Sequence, residues 1–114
     1  MHELGLVFQI AKTLNRVAES EGLSEIAAVV VEIGEVSGVV PKYLSDAWLY
    51  FSKKEPLLRE CELKIETLEA VTYCENCEQT YRTIDYGKTC PYCHSGKTYL
   101  LSGNEFNIKE ITAR

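Results

Sequence analysis

The sequence contains no hydrophobic run that approaches the roughly 20 residues needed to span a lipid bilayer. Its first residues also lack the basic segment and the apolar stretch that together mark a secretory signal. The sequence contains no internal repeat and no low-complexity tract, and its composition is that of an ordinary globular protein. We therefore expect a cytoplasmic protein with no membrane partner.

The chain also has no excess of basic residues. Its net charge is −5, and the acidic excess lies in residues 1–72, where seven Lys and Arg stand against twelve Asp and Glu. The segments 73–99 and 100–114 are each balanced in charge. Because affinity for nucleic acid depends mostly on a basic surface, we expect no nucleic-acid partner.

Catalytic motifs are missing as well. We find no nucleophile paired with a base, no glycine-rich phosphate loop and no pair of carboxylates with an assigned geometry. Glu32 and Glu35 flank a glycine, but a strand edge and a solvent-facing turn explain them. The sequence thus predicts a protein that is not an enzyme, so any nucleotide hydrolysis would come from a partner.

Hydrophobic patterning predicts an α+β fold. Apolar residues at three- and four-residue steps predict helices over 4–21 and 41–53. A β-branched run predicts a strand over 26–33, and alternating apolar and polar residues predict strands over 62–72 and 104–111. Two helices packed on a small three-stranded sheet would cover each other in two layers.

The last strand predicts how the chain is divided into domains. A lone strand after the cysteine-rich segment would leave its backbone groups without partners, so we expect it to return to the first sheet. The cysteine segment then becomes an inserted module. We predict one α/β domain of residues 1–72 plus 100–114 and a second, inserted domain of residues 73–99.

Four of the five cysteines form two Cys-x-x-Cys pairs, Cys74 with Cys77 and Cys90 with Cys93, separated by twelve residues. Such pairs can place four thiolates tetrahedrally at about 2.3 Å from one Zn²⁺. Four sulfur ligands leave no open position, which is typical of a structural site. Since the segment has few large aliphatic side chains, metal binding must supply most of its folding free energy.

Other assignments of these residues stay open. Two independent redox pairs would use the same motif, and a rubredoxin-like iron site would use the same four ligands. Cys61 lies outside the pattern and is better explained as a small buried hydrophobic residue than as a ligand. His94, directly after Cys93, is either an exposed histidine or an accessory ligand that couples the cluster to pH or to nickel loading.

The first three residues, Met1-His2-Glu3, offer a metal site of a different kind. If Met1 is the native terminus, its amine, the His2 amide and the His2 imidazole can close two fused chelate rings around one ion. Three nitrogens in one plane suit Ni²⁺ or Cu²⁺. The fourth position falls to Glu3, another side chain, water or a recipient protein, so such a site could release its metal. The alternative is a disordered terminus without a ligand.

Three features occur in one order along the chain: the initial Met-His-Glu, the stretch Val-Glu-Ile-Gly-Glu-Val-Ser-Gly-Val at 31–39, and the four cysteines. Together they resemble the HypA/HybF family of hydrogenase-maturation nickel metallochaperones, and the resemblance covers the whole chain. It implies delivery of Ni²⁺ to the large subunit of [NiFe]-hydrogenase with a partner GTPase, HypB. In some organisms such proteins also work with the urease maturation system.

The resemblance also implies the ligands of both metals. Transiently bound nickel would be held by Met1 (through its amine), His2 and Glu3, which makes residues 1–72 plus 100–114 the nickel-binding domain. Structural zinc would be held by Cys74, Cys77, Cys90 and Cys93, which makes residues 73–99 a zinc-binding domain with a zinc-ribbon fold. The role of His94 is less defined, because many relatives have another residue there. An inserted module on thin connections permits strand exchange, so both a monomer and a dimer are compatible with the sequence.

The competing hypothesis is a zinc-ribbon module that binds nucleic acid. Five tyrosines of the cysteine segment could stack on bases, although they can equally pack around the metal: Tyr73, Tyr81, Tyr86, Tyr92 and Tyr99.

Overall fold

A computed structural model describes residues 3–113. In chain order its elements are α1 (Glu3–Glu21), β1 (Ile26–Gly34), α2 (Pro41–Ser52), β2 (Glu62–Leu68), β3 (Val71–Cys74), β4 (Thr80–Arg82), α3 (Thr83–Tyr86), β5 (Thr98–Ser102) and β6 (Phe106–Ala113). The strands form two three-stranded sheets, ordered β2-β1-β6 and β4-β3-β5. The α+β fold is therefore confirmed, and β6 lies beside β1 in the first sheet as predicted. None of the helices within this range is long and apolar enough to cross a membrane.

The described chain divides into two compact units. The first unit comprises the residues up to Glu32, Val39–Glu66 and the residues from Asn107 onward, and the second comprises Ile33–Gly38 and Thr67–Phe106. The second unit is longer than the cysteine segment 73–99 that the sequence delimits. The division into 1–72 plus 100–114 and 73–99 stays a prediction.

The first unit has an aliphatic core built on α1 and α2, which pack against each other. Val7, Ile10 and Leu14 on α1 are inaccessible to solvent, as is Leu44 on α2. Trp48, only 2% exposed, donates its indole N–H to the Cys61 carbonyl at 3.0 Å, so the largest buried side chain has its polar atom satisfied.

Cys61 is itself buried, as expected of a small hydrophobic residue. The apolar stripe of α1, by contrast, is wider than the surface it buries. Leu4 and Phe8 belong to the stripe but stay substantially exposed. Phe8 meets the ring of Phe51 edge-on, with centroids 5.3 Å apart.

The prediction of one strand over 62–72 is wrong. β2 ends at Leu68 and β3 begins at Val71 in the other sheet. Between them Ala70 is fully buried, its N–H donates to Glu35 Oε1 at 2.9 Å, and its carbonyl accepts from Thr83 N at 3.1 Å. Because both backbone groups of Ala70 are used outside the ladder, the strand cannot continue through it.

The second unit is built around β3, which pairs antiparallel with β4 and β5. Tyr81 on β4 is buried, and its hydroxyl donates to the Gly87 carbonyl at 2.9 Å. The rings of the cross-strand pair Tyr73 and Tyr99 lie 5.3 Å apart. These interactions are polar and aromatic, in contrast to the aliphatic packing of the first unit.

Candidate metal centres

The four sulfurs of the paired cysteines converge on one point of the second unit. All four lie within 4.8 Å of one another, with Cys74 Sγ at 3.6 Å from Cys93 Sγ and Cys77 Sγ at 3.6 Å from Cys90 Sγ. Zinc–sulfur bonds of about 2.3 Å in a tetrahedron would set neighbouring sulfurs about 3.8 Å apart. No disulfide joins any of the five cysteines. One four-sulfur cluster favours a single metal over two independent redox pairs, and its geometry fits zinc or iron.

Each Cys-x-x-Cys pair closes with the same turn, and we call Cys74–Cys77 the first knuckle and Cys90–Cys93 the second. The N–H of Glu78 donates to the Cys74 carbonyl at 2.8 Å, and the N–H of His94 donates to the Cys90 carbonyl at 2.9 Å. Glu78 and His94 have φ values of 60° and 63°, in the left-handed region that residues other than glycine rarely adopt. The same backbone conformation thus ends both knuckles.

The match continues after the turn. Cys74 N donates to the Gln79 carbonyl at 2.9 Å, and Cys90 N donates to the Ser95 carbonyl at 3.0 Å. The first cysteine of each knuckle is fully buried, and the second is half-buried. The two knuckles are therefore related by an approximate two-fold symmetry around the centre of the cluster.

Asn76 breaks this symmetry. Its side-chain amide donates to Cys93 Sγ at 3.4 Å, which links the first knuckle to the second. Tyr92 holds the equivalent position, but its side chain is exposed and only its backbone N–H reaches a sulfur, that of Cys90 at 3.4 Å. The hydrogen bond from Asn76 is the largest influence that lowers the pKa of Cys93, to about 6. Burial is the largest influence that raises the pKa of Cys77, to about 12.

The predicted nickel site lies at the other end of the chain, and Met1 and His2 fall outside the described residues. Glu3 is described: it is the first residue of α1 and only 4% exposed. Its Oε2 accepts a hydrogen bond from the backbone N–H of Val40 at 3.1 Å. Val40 is the N-cap of α2 and makes no cap with its own side chain.

The Glu3 carboxylate therefore lies at the amino-terminal ends of two helices. Both helix dipoles place partial positive charge there, which favours a carboxylate. Sequence reasoning missed this contact, since Glu3 and Val40 are 37 residues apart and neither residue type signals the other. The contact joins the beginning of the chain to the beginning of α2.

Comparisons with known proteins find similar proteins along nearly the whole chain. A family model described as hydrogenase/urease nickel incorporation, metallochaperone, HypA matches residues 1–113. The chain belongs to the HypA family. The HypA hydrogenase maturation factors of Picosynechococcus sp. and Chlorobium phaeobacteroides are each 32% identical to it, over 97% and 98% of both chains respectively.

Solved structures agree with the fold. A solution structure of a HypA protein superposes with a TM-score of 0.74 at 25% identity, covering 100% of this chain and 97% of that one. The solution structure of the nickel metallochaperone HypA from Helicobacter pylori has a TM-score of 0.71 at 24% identity, covering 99% and 97%. The resemblance noted from Met-His-Glu, the 31–39 stretch and the four cysteines is thus confirmed at the level of the family.

HypA membership makes this chain one of the nickel metallochaperones of hydrogenase maturation. It does not by itself assign the ligands. His94 is exposed and stands outside the group of four sulfurs in the described part of the chain. Its role as an accessory ligand stays a prediction, as does the identity of the metal in the cluster.

Proposed function

We propose that this HypA protein binds Ni²⁺ at its amino terminus and delivers it to the large subunit of [NiFe]-hydrogenase. The proposed ligands are the Met1 amine, His2 and Glu3. The observation that carries the proposal is the anchoring of Glu3, which is buried and hydrogen-bonded to the N-cap of α2. A residue held this firmly gives a short chelate a fixed base, and the positions above and below the plane of the ligands stay available to a recipient.

Glu3 has two separable duties in this proposal. One carboxylate oxygen holds the Val40 amide at 3.1 Å, and the carboxylate also supplies negative charge beside the proposed cation. Glu3→Gln keeps an acceptor for the Val40 N–H but removes the charge, whereas Glu3→Ala removes both. If Glu3 acts as a ligand, Glu3→Gln should weaken nickel binding. Its thermal stability should fall only by the small amount that the negative charge contributes at the helix ends, because the hydrogen bond to Val40 is kept.

The four-cysteine cluster is proposed to hold structural Zn²⁺. The sulfur separations support a tetrahedral ion, and a bound dication would favour the thiolate form of all four cysteines. Its closed ligand set distinguishes it from the open terminal site. In this division of labour one metal stabilises the fold and the other is cargo.

The proposed partners are a HypB-type GTPase, the hydrogenase large subunit and, in some organisms, urease maturation proteins. The description of the matching family names both hydrogenase and urease. The sequence offers no phosphate-binding loop, which is why nucleotide hydrolysis is assigned to the partner. A cytoplasmic location, and a monomeric or dimeric state, complete the proposal.

His2→Ala tests the terminal site. Isothermal titration of the zinc-loaded variant should reveal no stoichiometric nickel binding, because the imidazole and its chelate ring are gone. Zinc content should be unchanged. His94→Ala is the matched control, since these two are the only histidines of the chain. Stoichiometric nickel binding by His2→Ala would overturn the terminal-site model, and its loss in His94→Ala would move a ligand to the cluster.

A further inference from the structure

We propose that Cys77 is the sulfur of the four-cysteine cluster that soft alkylating electrophiles attack first, because Asn76 shields Cys93 and has no counterpart at Cys77. The inference goes beyond nickel delivery, and it rests on the proposed metal in the cluster. It concerns a difference in reactivity between two sulfurs that the fold otherwise makes equivalent.

Cys77 and Cys93 form a matched pair. Each is the second cysteine of its knuckle, and each is half-buried. Each sulfur lies 3.6 Å from the first cysteine of the opposite knuckle. The backbone N–H of the residue two positions further along the chain acts to lower the pKa of each thiol, that of Gln79 for Cys77 and that of Ser95 for Cys93. The two residues therefore match in their position within the knuckle and in the backbone group that follows, and both are half-buried.

The side-chain donor does distinguish them. Asn76 Nδ2 lies 3.4 Å from Cys93 Sγ. Among residues 3–113, no side-chain N–H makes a hydrogen bond to the sulfur of Cys77, and the symmetry-equivalent position is held by Tyr92, whose side chain is 64% exposed. A donor on a thiolate draws electron density from the lone pair that must attack an electrophile. Cys77 keeps the more nucleophilic lone pair.

Iodoacetamide is a suitable probe. A metal-bound thiolate attacks the CH₂ carbon, an S–C bond forms, the C–I bond breaks, and iodide leaves with the electron pair. No proton is released, because the thiolate carries none. The product is a neutral thioether and a poorer ligand, so the remaining cysteines become reactive afterwards. The first event must therefore be read from molecules that carry a single label.

The experiment uses the full zinc-loaded chain at low conversion, with fragmentation of the singly labelled protein in the mass spectrometer. We expect Cys77 to be labelled about fivefold faster than Cys93, because one hydrogen bond in contact with water contributes about a factor of five. Buried Cys61 is an internal reference for unfolding of the first unit and should stay unlabelled. Equal labelling, or faster labelling of Cys93, would overturn the inference.

Two variants test the cause. Asn76→Ala should raise the labelling of Cys93 to the level of Cys77. Tyr92→Asn places an amide at the equivalent position of the second knuckle and should slow the alkylation of Cys77. This second variant tests the cause even if Asn76→Ala loses its metal. An unchanged ratio in both variants would contradict a role for the amide. Elemental analysis of each sample tests the proposed metal, since a folded protein without zinc would contradict zinc in the cluster. The ratio of Cys77 to Cys93 labelling tests the shielding by Asn76.

Discussion

The two units of this HypA protein differ in the kind of core that stabilises each of them. The first unit buries Val7, Ile10, Leu14 and Trp48, which are the side chains of an ordinary hydrophobic core. The buried cluster of the second unit consists of Cys74, Cys90 and Tyr81, with Cys77 and Cys93 packed against it. A core made mostly of thiols gains little from leaving water unless a metal joins its members. Glu3, one of the proposed nickel ligands, belongs to the first unit, whose hydrophobic core does not depend on a metal.

Removing the proposed metal from the four-cysteine cluster should have the largest effect, and that effect should be confined to the second unit. We expect the second unit to lose its fold, because ligation contributes on the order of 10 kcal/mol to such a site. Trp48 is the only tryptophan and belongs to the first unit, whereas five of the seven tyrosines belong to the second. Chelation should therefore collapse the tyrosine circular dichroism and leave Trp48 fluorescence nearly unchanged. If both signals changed together, the contrast between the units would be lost.

A core substitution in the first unit should give the reverse pattern. Leu14→Ala removes a fully buried side chain from α1 and should cost about 3 kcal/mol. Thermal unfolding followed by Trp48 fluorescence should shift to lower temperature, while zinc content stays at one per chain. Leu49→Ala is the control, since Leu49 is largely exposed on α2 and its loss should cost much less. Loss of zinc from Leu14→Ala would contradict the separation.

The elements of the first unit could be predicted because its pattern is long and periodic. Helix α1 and strand β1 follow from apolar spacing, and the place of β6 follows from the need to satisfy its backbone. The strands of the second unit are three to five residues long, too short for a period to be recognised. The convergence of the four cysteines on one cluster could be predicted from their spacing alone.

Contacts that depend on how the knuckles and helices meet could not be predicted. Asn76 donates to the sulfur of a cysteine 17 residues further along the chain, and this contact depends on how the two knuckles meet rather than on local sequence. The contact of Glu3 with Val40 depends on where α2 begins relative to α1. The break at Ala70 was missed because apolar alternation runs on through Val71.

A smaller effect is expected where backbones touch within the second unit. A Cβ at position 34 would overlap the carbonyl oxygen of Gly103, which is backbone and cannot move aside alone. Gly34→Ala should therefore destabilise the second unit by about 2 kcal/mol. Gly96→Ala is the matched control, because nothing lies within 4 Å of its Cβ and its φ is not positive. Tyrosine circular dichroism during denaturation would measure both, and equal stabilities would contradict the close contact.

The smallest expected effect is a gain in stability at the ends of the knuckles. Glu78 and His94 hold left-handed backbone conformations that glycine adopts without steric cost. Glu78→Gly and His94→Gly should each stabilise the second unit by about 1 kcal/mol or less. Denaturant titration of both variants would measure this. If only His94→Gly lost zinc, the His94 imidazole would have a role as a ligand that Glu78 does not share.

The most direct test of the central claim is a nickel titration of zinc-loaded protein that begins at Met1, beside the same protein with its Met1 amine acetylated. Acetylation removes the amine as a donor and breaks the chelate, while the contacts of Glu3 and the four-cysteine cluster should be unaffected. The account predicts about one nickel per chain for the protein with the free amine and none for the acetylated protein. Equal binding by both forms would place the ligands elsewhere and contradict an amino-terminal nickel site.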